Sequence, residues 1–128
     1  MPSPKRKFGD AGEMIAEKYL QEKGYLIIDR NFRKPYGEID LIAKKDNMLV
    51  FIEVKTRDGR YIHDFLPEQS VNRPKTRKLK RVCQVYLLEK HYGPNQEWQI
   101  DVIGISIDFE FKKARIGHLE NAVWERQY

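Results

Sequence analysis

The chain has 128 residues, 41% hydrophobic and 12% aromatic, enough for one domain with its own core and too apolar for a disordered chain. Lys and Arg number 24 against 19 Asp and Glu, a net charge of +5, and no apolar run approaches the ~20 residues of a membrane span. The single cysteine, Cys83, excludes an internal disulfide framework and fits a reducing cytoplasm.

The start, MPSPKRKF, is basic and leads into an amphipathic segment rather than an apolar one. It reads as a flexible basic tail over residues 1–8, not a signal peptide, and leaves residues 9–128 as a single domain. Residues 10–23 are predicted helical, because Ala11, Ile15, Ala16, Tyr19 and Leu20 recur at helical spacing and Gly24 supplies a stop. Residues 25–28 form a short strand and 29–36 a charged connection. Residues 37–44 and 48–56 form a hairpin about Asp46-Asn47.

Residues 57–74 show no period and read as a long loop. A second helix is predicted over 74–92, with Leu79, Val82, Cys83, Tyr86 and Leu87 as its apolar stripe and Pro74 at its first position. Cys83 therefore reads as a buried thiol. Residues 98–107 alternate as a strand, 109–118 form another, and 121–128 are a tail or last turn. This order predicts an α/β domain, a small mixed sheet with helices packed on it.

The hairpin carries charges where core strands carry Val or Ile. With a two-residue turn, Lys45 faces Met48, Asp40 faces Glu53 and Glu38 faces Lys55. One face then holds Glu38, Asp40, Ile42, Leu49, Phe51, Glu53 and Lys55. The other holds Ile39, Leu41, Ala43, Val50, Ile52 and Val54. Two carboxylates directly opposed, with Cβ atoms ~5 Å apart, repel each other unless a cation lies between them. Mg2+ takes such hard oxygen ligands together with water and phosphate oxygens. Lys55, two residues from Glu53, shares its face and is suited to orienting a water or neutralising charge developing on phosphorus. The plainer alternative is ordinary strand-end charge, with Glu38 and Lys55 as a cross-strand pair.

GEIDLI (37–42) followed by FIEVKTR (51–57) resembles the PD-(D/E)xK nuclease signature. More narrowly, the chain resembles the YraN family, small bacterial proteins similar to archaeal Holliday-junction resolvases. Gly12-Glu13, Gly24-Tyr25, Arg30-Asn31, Pro67-Glu68, Val71, Lys75, Leu79, Asp101-Val102 and Asn121-Ala122 fit the same pattern over nearly the whole chain. Ile39 replaces the signature proline, Gln99-Ile100-Asp101 stands where Arg-Phe-Asp is common, and Thr76 where Gln is common. The resemblance implies a restriction-endonuclease-like core, a central mixed sheet flanked by helices.

It also implies Mg2+ or Mn2+ held by Glu13, Asp40, Glu53 and the Val54 carbonyl, with Lys55 assisting water attack. Glu13 lies at the edge of the first helix's apolar stripe, where spacing alone leaves it between site and solvent. The implied activity is phosphodiester hydrolysis in DNA rather than RNA, with branched or junction DNA in repair or recombination as the substrate class. A symmetric resolvase requires a homodimer. Neither a membrane nor a small-molecule substrate is implied.

From Ser70 to Val82 there are six cations and no acid. Arg73, Lys75, Arg77, Lys78, Lys80 and Arg81, with Arg57, are therefore candidate phosphate contacts. The alternatives to a nuclease are a nucleic-acid-binding module with weak or no cleavage, and a scaffold for DNA-processing proteins. Tyr61 and Phe65 in the long loop are candidate base or dimer contacts. His63, His91 and His118 show no ligand spacing and read as structural or surface residues.

Overall fold

The computed structural model describes residues 4–59 and 73–122, with side chains over 7–59 and 77–122. Its elements are α1 (Pro4–Glu22), β1 (Leu26–Lys34), β2 (Gly37–Lys45), β3 (Met48–Asp58), α2 (Arg73–Glu89), β4 (Trp98–Asp108) and β5 (Lys113–Leu119). The strands form one sheet in the order β1-β2-β3-β4-β5. Among the described residues only β3 and β4 pair in parallel. A parallel pair needs a crossover, and α2 lies within it.

The helices cover opposite faces. Ala16 and Leu20 of α1 pack with Leu41, Ala43, Val50, Ile52, Ile103 and Ile105. Val82, Cys83 and Tyr86 of α2 pack with Ile42, Leu49, Phe51 and Ile100. Leu49 to Ile52 is therefore buried on both sides, which explains its unbroken apolar run. This α/β architecture is compatible with a restriction-endonuclease-like core. Cys83 is fully buried, as its place in the α2 stripe implied.

Four expectations need correction. First, residues 4–8 are not tail but the first turns of α1, and Phe8 extends its apolar stripe to meet Phe109 at 4.9 Å between ring centroids. Second, β1 runs through the stretch expected as a connection. As an edge strand it leaves much of its polar surface in water and needs few apolar residues, so its pattern is concealed. Third, residues 109–112 are turn, not strand: Asp108 Oδ1 accepts from the amides of Glu110 and Phe111, and Lys112 takes a left-handed φ of 53°.

The fourth correction concerns facing. The two-residue turn gives the expected register from Lys45–Met48 to Leu41–Ile52. Leu41 and Ala43 share a face as expected, the one α1 covers, but Ile39 joins the α2-side core. The pleat turns over between them. Its β1 neighbour does the same: Arg30, paired with Leu41, reaches Glu17 on α1, whereas Phe32, paired with Ile39, packs on Tyr86. Between these pairs stand Asn31, with φ 51°, and Asp40. A left-handed residue, which Asn tolerates, breaks the regular alternation.

Candidate functional site

Asp40 sits where the sheet forks. The β2–β3 ladder ends at Leu41–Ile52, while β3 stays paired with β4 as far as Asp58. The expected ladder pairs Asp40–Glu53 and Glu38–Lys55 do not form, because the strands have parted. Instead the Val54 amide donates to Asp40 Oδ2 at 2.7 Å. A carboxylate thus takes the place of a strand carbonyl, bridging the fork at its closed end.

Glycine brings α1 against this fork. A Cβ on Gly12 would lie 1.9 Å from Thr56 Oγ1, so only glycine allows α1 so close to β3. Glu13 follows immediately. Its carboxyl is pushed above the usual range, first by burial and then by the charges of Glu38 and Asp10, with Arg33 opposing. Asp40 is pushed up to about 7 from 3.8. Burial is the main cause, the Val54 amide opposes it, and Glu13, Glu38 and Glu53 add to it. The fork therefore gathers carboxylates from α1, β2 and β3.

Glu53 is largely enclosed, and Lys55 Nζ lies 3.4 Å from its Oε1. Glu38 pairs with Arg33 Nε at 2.8 Å on the neighbouring strand, not with Lys55. Sequence reasoning missed both members of that pair as site residues. Glu38 stood in the motif but was matched with Lys55 by the ideal register, and Arg33 lay in a stretch read as connection.

The donors suit a hard cation: carboxylate oxygens whose repulsion a divalent ion would reverse. Among the described residues, the carboxylates of Glu13, Asp40 and Glu53 do not all come within 4.8 Å of one another. Ligands of one Mg2+ lie no more than about 4.2 Å apart, so the three would have to draw together, or act through water, to share one ion.

Next to the fork runs α2. A Cβ on Gly37 would meet Val82 Cγ2 at 3.1 Å, so the helix lies over the start of β2, one residue from Glu38. Arg77, Lys78 and Arg81 are exposed, and Lys80 and Arg57 half-buried. The Arg81 guanidinium stacks 4.2 Å from the centroid of Tyr36 in the β1–β2 turn. Arg73 and Lys75 lie on the first turn of α2, with side chains outside the described residues. Tyr61, His63, Phe65, Pro67, Glu68 and Val71 also lie outside them. His91 is exposed, and His118 is mostly enclosed and bonded to Asp101.

The model of the family described as Uncharacterised protein family UPF0102 matches residues 12–105. A UPF0102 protein of Alkaliphilus oremlandii is 40% identical over 117 residues, covering 91% of this chain and 97% of that one. A UPF0102 protein of Desulforamulus reducens is 40% identical over 124 residues, covering 96% and 100%. One from Roseiflexus castenholzii is 34% identical over 125 residues, covering 98% and 99%.

Proposed function

This chain belongs to the uncharacterised protein family UPF0102, the YraN family, and we propose that it is a metal-dependent endonuclease acting on DNA, with branched or junction DNA as its preferred substrate. One observation carries the reading: a buried aspartate at a strand fork, Asp40, whose carboxyl is pushed up to about 7 first by burial and further by the charges of Glu13, Glu38 and Glu53. A sheet interior gains nothing from such repulsion unless a cation relieves it. The PD-(D/E)xK likeness supplies the reaction class by analogy.

Glu13, Asp40 and Glu53, with the Val54 carbonyl, would hold Mg2+ or Mn2+. When bound, the ion supplies a Lewis acid for the phosphodiester and a water of lowered pKa. Asp40 is fixed by the Val54 amide, and Lys55 by the Glu53 carboxylate. Lys55, partly exposed, would present its ammonium to the attacking water or to charge developing on phosphorus. Arg57, Arg73, Lys75, Arg77, Lys78, Lys80 and Arg81 would hold flanking phosphates without reading sequence. Paired symmetric cuts in a junction would need two copies of the chain.

The test is cleavage of end-labelled four-way junction, splayed, single-stranded and linear duplex DNA with Mg2+ or Mn2+, comparing wild type with Lys55→Ala prepared identically. Cutting that Lys55→Ala loses is the expected result, with the junction or splayed substrate cut fastest. No cutting, or equal cutting by both proteins, overturns the hydrolase. Retained DNA binding would then leave a binding module, which the basic side of α2 supports.

A further inference from the structure

A second polar cluster lies apart from the fork, between the start of β4 and the end of β5. Asp101 is fully buried in β4, where it shares the α1 side with Ile103 and Ile105. Its Oδ2 lies 2.7 Å from His118 Nε2. Glu120 completes a trio whose ligand atoms all lie within 4.8 Å of one another, the one such group among the described residues. Burial grades from Asp101 through His118 to an exposed Glu120, so the trio opens to solvent at one end. The family match ends at residue 105, before His118 and Glu120.

Each donor is held from behind by a different residue. The far ring nitrogen of His118, Nδ1, is 3.0 Å from the Tyr19 hydroxyl. The far oxygen of Asp101, Oδ1, accepts from Gln99 Nε2 and from the Asn121 amide, each at 2.9 Å. The Tyr25 hydroxyl donates to Glu120 Oε1 at 3.3 Å. Partners of this kind fix the tautomer and orientation of metal-bound imidazoles and carboxylates. Asn121, whose backbone amide binds Asp101, also carries a buried side-chain Oδ1 without a hydrogen-bond partner.

We propose that Asp101, His118 and Glu120 bind a first-row divalent cation, Zn2+ best among the common ions, at a site separate from the fork. One imidazole and two carboxylates leave a fourth position open in a tetrahedral site. Bonds of about 2.0–2.2 Å set tetrahedral ligands about 3.4 Å apart, so Asp101 and His118 part slightly while Glu120 draws inward. The ion replaces the proton shared by His118 Nε2 and Asp101. Bound through Nε2, the neutral ring keeps one proton, on Nδ1, where the Tyr19 hydroxyl accepts it, and any other proton passes to solvent.

The experiment uses full-length protein carrying Asp40→Asn and Glu53→Gln, stripped with chelator and dialysed against Zn2+ or Co2+. Expected are one bound ion per chain and a Co2+ absorption spectrum of low coordination number. Zn2+ should perturb the His118 ring 15N resonances. Glu120→Gln, at an exposed position, should weaken Zn2+ at least tenfold, and Tyr25→Phe about tenfold, with unchanged circular dichroism. No stoichiometric uptake, or uptake unaltered by Glu120→Gln and by His118→Gln, overturns the site and leaves the cluster as a structural brace. Because Asp40 and Glu53, two of the fork's proposed ligands, are neutralised in this protein, failure here says nothing about cleavage at the fork.

Discussion

Replacing Asp40 by Asn should make the metal-free protein more stable, and only at neutral to alkaline pH. Asn keeps an oxygen to accept the Val54 amide, so the fork stays bridged while the charge is removed. The wild-type carboxyl titrates at about 7 in the folded chain against 3.8 as an ordinary aspartate. Below 3.8 both states are protonated and folding bears no penalty. Between 3.8 and 7 only the unfolded state ionises, and the penalty grows. Above 7 both are ionised and the penalty is complete, about 4 kcal/mol from that difference. Some repulsion among Glu13, Glu38 and Glu53 persists in the variant, which sets the expected gain at about 2–4 kcal/mol at pH 8.

Urea titration in EDTA measures this directly. With a slope of about 1.5 kcal/mol/M, the midpoint of Asp40→Asn should rise by about 2 M at pH 8 and stay near wild type at pH 4. Excess Mg2+ should close the gap by stabilising wild type alone. An Asn variant less stable than wild type at pH 8, or a gap equal at both pH values, would refute the account of a frustrated carboxylate cluster.

Gly12→Ala should destabilise by about 1–3 kcal/mol despite alanine's better helix propensity, because its Cβ meets Thr56 Oγ1 at 1.9 Å; adding Thr56→Gly should recover much of the loss in the same urea assay. The triple change Arg77→Ala, Lys78→Ala, Arg81→Ala should flatten the slope of log affinity against log salt on duplex DNA by about 0.9 for each phosphate left without its cation, read by fluorescence anisotropy; an unchanged slope would remove these cations from the interface. Phe51→Ala should cost about 3–5 kcal/mol in thermal or chemical unfolding, since the ring sits edge-on to Tyr86 and Trp98 at 5.6 Å each.

The hairpin register was legible because its turn and apolar pattern agree, and Gly24 ended α1 as read, with φ +92°. The stripes of α1 and α2 were legible for the same reason: period and burial coincide. What the pattern concealed was the place where β2 stops pairing. Ideal alternation extends a register indefinitely, whereas Asn31 turns the pleat over and β3 parts from β2 while it stays paired with β4. Glu38 therefore meets Arg33, and Lys55 meets Glu53. The Asp101–His118 contact was hidden by distance along the chain: 17 residues separate partners that only the β4–β5 pairing brings together.

The fork divides the acidic cluster between two arms. Glu38 and Asp40 ride on the β1–β2 ribbon, and Glu53 and Lys55 on the β3–β4 ribbon, with the Val54 amide as a clasp between them. The distance from one carboxylate to the next therefore depends on the opening angle of two semi-rigid ribbons more than on any side-chain rotamer. An occupant of the gap works against that angle, and a change at the distant turn about Asp46 acts on the same lever. Hydrogen exchange at Val54 would read the position of the arms directly, because its amide is held by a side chain from the opposite one.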